Sequence, residues 1–242
     1  MESLTKTSSE PKSQWYILSE IISVFVPALL LILMTRNWVG DDPIRGLTII
    51  WVANILMLVM IFLGMKRRRG SFKEFGLSCS GLNLKNGLKI VGLSLVVFVI
   101  AIVAYLLGPI LLSGFLDVQE TADFSRYDYL KNNLSGLFIS LIGVYIVSSF
   151  GEELIYRAFL INRLSEVTSK SRFTVVLAVI LSSLIFGLIH YEWGIIGIIQ
   201  TTCMGLAMGI SYVILKKRLW ILILAHAYMD TILLVQLYSS VN

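Results

Sequence analysis

Seven stretches of this chain stay apolar for about 20 residues each, the length that crosses the hydrocarbon of a bilayer. A backbone in that setting finds no water to bond, so each stretch must close its own hydrogen bonds as a helix. The spans read as Trp15 to Thr35, Gly46 to Met65, Ile90 to Leu112, Leu134 to Asn162, Phe173 to His190, Ile195 to Leu215 and Leu219 to Leu237. Composition points the same way. Of the 242 residues 57% are hydrophobic and 14% charged, whereas a soluble domain carries about a quarter charged. The expected fold is all-α: a polytopic membrane helical bundle of about seven transmembrane helices, or eight if one is broken or interfacial. Residues 1–242 read as a single integral membrane domain. A soluble enzyme, a disordered chain and a nucleic-acid-binding domain are excluded, because the net charge of +5 sits in short loops.

The polar lead Met1 to Gln14 and the lack of a small-residue cleavage site predict an uncleaved chain without a secretory signal peptide. Cys79 in a loop and Cys203 in an apolar helix make neither a disulfide framework nor a metal cluster. Pro27 is placed to kink the first helix. The third, with Pro109 late in it, and the long fourth could each hide a break.

Loop charge sets an orientation. Lys66 to Arg69 and Lys73 follow the second helix, Arg163, Lys170 and Arg172 the fourth, and Lys216 to Arg218 the sixth. The alternate loops carry Asp41, Asp42, Asp117, Glu120, Asp123, Asp128 and Glu192 against Arg36, Arg45, Arg126 and Lys131. Basic loops stay cytoplasmic, so seven spans put the N-terminus inside. Between Lys66 and Lys89, the run Phe72 to Leu77 suits an amphipathic element beneath the bundle, or equally an ordinary basic loop.

Charges inside hydrocarbon are costly and mark function. Away from helix ends they are Glu152, Glu153, Arg157 and Asp230, and both histidines, His190 and His226, also fall in or at the ends of apolar helices. Glu153 and Arg157, four apart, share a face and can neutralise each other. Glu152, about 100° around the helix, is left over as a proton acceptor. His226 and Asp230 are again four apart, and Gly187 before His190 permits close helix approach. A carboxylate and an imidazole can hold and deprotonate a water, while a second imidazole and its partner stabilise oxygen charge on an attacked carbonyl. That is peptide hydrolysis without a covalent intermediate. No rhomboid-like serine, no His-Glu-x-x-His pair and no second buried aspartate supports the serine, zinc or aspartyl routes.

The chain resembles the membrane family of CAAX prenyl endopeptidases of the Rce1 type and bacterial bacteriocin-processing or immunity proteins, known as CPBP or Abi. Its motifs are Glu152-Glu153-Leu154-Ile155-Tyr156-Arg157, then Phe186 with His190, then His226 with Asp230. The resemblance implies a glutamate-dependent intramembrane endopeptidase whose catalytic half spans 134–237. It makes Glu152 the general base and His190 a holder of the water. His226 and Asp230 would form the oxyanion site, with Glu153, Arg157 and Phe186 supporting it. It implies no cofactor and no required metal, although Glu152, His190 and His226 could supply three zinc ligands. The implied partners are the lipid bilayer and a membrane-associated peptide or protein substrate, with no nucleic acid; oligomeric state is left open. The implied location is a bacterial plasma membrane. A noncatalytic scaffold or immunity protein of the same fold and a small proton-coupled transporter are the competing readings.

Two tensions are visible in advance. Asparagine is common where Asp230 stands, and an ionised aspartate would repel an oxyanion, so Asp230 must be protonated or must orient His226. Counted at about 1.5 Å per residue from the basic loops, Glu152 lies about 15 Å deep, His226 about 12 Å and His190 about 27 Å. An oblique fifth helix, or a start other than Phe173, would reconcile them.

Overall fold

A computed structural model describes residues 13–40, 42–77, 83–112, 121–167 and 171–240. It is an all-α, polytopic membrane bundle. Cys79, Asp41, Asp117, Glu120, Lys170 and the lead through residue 12 lie outside the described residues.

Seven long helices occur among the described residues, close to the expected spans. They are α1 (Gln14–Val39), α2 (Pro43–Arg67), α3 (Leu84–Leu112), α4 (Leu134–Val167), α5 (Arg172–Leu188), α6 (Gly194–Ile214) and α7 (Leu219–Ser239). α5 is the shortest of these and the others are long and apolar enough to span a membrane. Local chemistry sets several ends. Asp42 accepts from the backbone N–H groups of Ile44 and Arg45, with Pro43 at the first helical position, so α2 starts there. Ser171 and Thr174 cap α5 reciprocally. α1 and α3 run on through Pro27 and Pro109.

α4 is the central helix. Its first part, Leu134–Val144, turns Phe138, Ile139 and Ile142 toward lipid. From Tyr145 to Ile161 it widens into a π-helix, and every residue from Gly151 to Ile161 is buried. The expected break is thus a change of helical pitch. A π-helical stretch is rare beyond a single turn and concentrates at functional sites.

Lipid gives helices no hydrophobic reason to associate, so contact rests on small residues and polar links. α5 and α6 meet at Gly187, where an added Cβ would stand 1.8 Å from Thr202 Oγ1 and 2.8 Å from the Ile198 carbonyl. Ser182 Oγ of α5 donates to the Tyr156 carbonyl of α4 at 2.7 Å. The amphipathic element after α2 is real: Phe72–Phe75 forms a 3₁₀ turn capped by Ser71 and Glu74, with Phe75 buried. Gly76 follows at φ 77°, and a Cβ there would stand 1.6 Å from the Lys217 carbonyl, so this element docks on the turn before α7.

A second buried charge cluster escaped the sequence reading because it lies near helix ends. Glu20 of α1 accepts from Arg68 at 2.7 and 2.9 Å and pairs with Arg163 of α4 at 3.0 Å. All three side chains are nearly buried. The cluster pins the central helix to α1 and to the turn after α2.

Candidate active site

Four helices and one turn build the polar centre. The widened part of α4 carries Ser148, Ser149, Glu152, Glu153 and Arg157; α7 carries His226 and Asp230; α2 adds Asn54; α5 contributes Phe186.

Glu153 is fully buried and does two things at once. Its Oε1 stands 3.1 Å from Arg157 Nη1, the expected ion pair, and accepts from His226 Nδ1–H at 2.9 Å. The second contact was not foreseen. It fixes the ring's orientation and turns Nε2 toward the other carboxylates. Arg157 is held from its other side by the Phe186 ring, with 4.2 Å from guanidinium carbon to ring centroid.

His226 Nε2 lies 4.0 Å from Glu152 Oε2, 3.7 Å from Asp230 Oδ1 and 3.4 Å from Ser148 Oγ. Glu152 is loosely held, with donors at 3.4 Å from Asn54 Nδ2 to Oε1 and from Ser148 Oγ to Oε2. A carboxylate in this state can take a proton without breaking a strong bond. Asp230 Oδ2 accepts from Ser149 Oγ at 2.7 Å. Since Glu153 occupies Nδ1, Asp230 is not the group that orients His226 through that nitrogen.

His190 is the outlier that the depth count anticipated. α5 does begin where expected, so His190 falls in the turn beyond its C-terminal end. Its Nδ1–H donates to the Phe186 carbonyl at 2.8 Å, which leaves Nε2 as an acceptor. No hydrogen bond joins it to Glu152 or His226. The ring of Phe186 is the link, 4.9 Å from the His190 ring and 6.3 Å from that of His226. Trp193 meets His190 edge-on at 4.7 Å and is itself met edge-on by Phe124 at 5.0 Å, while Arg126 pairs with Glu192 at 2.8 Å. The segment before α4 therefore straps down the turn that carries His190.

Asn54, Ser148, Ser149 and Trp193 were missed as neighbours. Asn54 had a signal, a lone amide in the middle of an apolar helix. The serines directly precede the glutamate pair by one helical turn. Trp193 had none. Among the described residues no three His, Cys, Asp or Glu side chains gather as a metal-binding group. The zinc triad fails on its donors, because His190 does not converge with the other two.

The fold and site define a polytopic membrane protein with a buried carboxylate–histidine centre shared by its central and last helices. Residues 134–232 match the family model described as type II CAAX prenyl endopeptidase, Rce1-like, so this part of the chain is similar to the CAAX/CPBP intramembrane proteases. No curated protein and no solved structure matches the chain.

Proposed function

We propose that the protein is a glutamate-dependent intramembrane endopeptidase that cuts a membrane-associated peptide or small protein precursor. The observation that carries this reading is the 4.0 Å gap between Glu152 Oε2 and His226 Nε2. It is too long for a direct bond and suits one water held by both at about 2.8 Å. Glu152 takes the water's proton as the oxygen attacks the scissile carbonyl. His226 in its doubly protonated form donates from Nε2 to the developing oxyanion, and a protonated Asp230 supplies a second donor beside it. Glu152 then returns its proton to the leaving amine, so the cycle closes without a covalent intermediate. His190 acts at one remove, packing the Phe186 ring that stands against His226. Glu153 and Arg157 keep His226 aimed.

The basic loops support a cytoplasmic N-terminus, and the short loops between spans support a bacterial plasma membrane. The test uses purified protein in liposomes with peptide precursors encoded beside its gene, read by mass spectrometry. Cleavage products are expected from the wild type and none from Glu152→Gln, with equal yield and melting behaviour. Near wild-type cleavage by Glu152→Gln would refute the mechanism.

A further inference from the structure

On the basic side of the bundle, the ends of α4, α5 and α6 frame a half-open pocket of about 290 Å³, apart from the polar centre. Ile161, Val175 and Val213 form its apolar wall, and Lys216 and Lys217 stand at its mouth. Among the described residues no acidic side chain lines it. Its polar floor is ordered. Asn162 is buried, and its Nδ2 donates to Tyr212 Oη at 3.1 Å while its Oδ1 accepts from Lys217 Nζ. One cation is therefore held in place at the mouth rather than left to wave in water.

The backbone adds a second observation. Lys216 and Lys217 have φ of 53° and 63°, both left-handed, where the chain leaves α6. Glycine makes such a helix end without a steric penalty. Two lysines there accept strain, and what they bring is charge at this mouth. The surrounding surface faces lipid: Phe173, Val176 and Ile214 are among the most exposed large apolar residues. A loop that served only the positive-inside rule would need neither the pocket nor the Asn162–Lys217 bond.

We infer that this pocket binds one anionic phospholipid, with the phosphate at Lys216 and Lys217 and the first part of an acyl chain against Ile161, Val175 and Val213. Basic pockets between membrane helices suit such headgroups, since each lysine near the surface adds attraction that the apolar wall then makes specific to a lipid. The site needs neither the peptidase reading nor a particular orientation of the termini. A lipid seated there would brace the residues that directly follow the π-helical stretch of α4.

The experiment measures retention of defined lipids on the full-length protein in detergent by native mass spectrometry. Phosphatidylglycerol, phosphatidylcholine and inorganic phosphate are the probes. Phosphatidylglycerol should bind at one site, phosphatidylcholine should not, and inorganic phosphate at equal concentration should not displace it. Lys216→Gln with Lys217→Gln should weaken phosphatidylglycerol about thirtyfold, and either alone about fivefold. Arg67→Gln with Arg69→Gln removes equal charge from the same side and should leave binding intact. Val175→Phe keeps both lysines but fills the pocket, and should also expel the lipid; it guards against a lysine variant that misfolds. Equal retention of the two lipids would overturn the proposal, as would displacement by phosphate alone. So would a loss in the arginine pair as large as that in the lysine pair.

Discussion

Glu152 and Glu153 are chain neighbours, both buried, yet replacing each by glutamine is expected to differ severalfold in its cost to stability. Glu153 is fully enclosed, and its Oε1 faces both Arg157 at 3.1 Å and His226 at 2.9 Å. Glutamine there leaves a guanidinium that is only 1% exposed without a counter-charge. Breaking a buried pair in this way costs about 3–5 kcal/mol, because the surviving charge keeps its desolvation penalty. The Phe186 face, at 4.2 Å, recovers about 1–2 kcal/mol of attraction at most and is present already in the wild type. Glu152 has only two contacts of 3.4 Å to lose, so Glu152→Gln is expected to change stability by about 1 kcal/mol or less. Thermal unfolding in detergent, followed by the fluorescence of the five tryptophans, compares them. The decisive member of the set is Glu153→Gln with Arg157→Met, which removes the stranded charge and should restore most of the lost stability. If Glu153→Gln melts with the wild type, or if the double variant is no more stable than the single one, the ion pair does not carry the cost assigned to it.

Asp230→Asn keeps an oxygen for the Ser149 hydroxyl and offers an N–H toward the oxyanion, so it should retain or raise peptide turnover; Asp230→Ala should lose most of it, and severe loss in the asparagine variant would end the donor role. Gly187→Ala drives a methyl against the Ile198 carbonyl and Thr202, which should cost about 1–3 kcal/mol in melting experiments; an unchanged melting temperature would show that α5 and α6 separate easily. Single cysteines placed between Lys66 and Arg69 or between Lys216 and Arg218, in a background lacking Cys79 and Cys203, should resist an impermeant thiol reagent in intact cells. Labelling without permeabilisation would reverse the topology.

The number and placement of the helices were legible in the chain because a bilayer imposes length and apolarity on each span separately, with no reference to its neighbours. The same holds for the Glu153–Arg157 pair, which one helical turn sets, and for Gly187, whose missing side chain already signalled a close approach. Tertiary structure alone decided what spans helices. Glu153 reaches His226 across 73 residues of chain, Asn54 meets Glu152 across 98, and Arg68 meets Glu20 across 48; none of these separations follows any local period. The widening of α4 was also hidden, since π-type and α-type hydrogen bonding are compatible with the same apolar run. His190 shows the boundary most clearly. Its motif placed it with the catalytic group, and counting residues placed it too deep. Only the packing of Phe186 between the two histidines, with Trp193 behind, shows how a residue beyond the end of its helix is tied to a centre built by others.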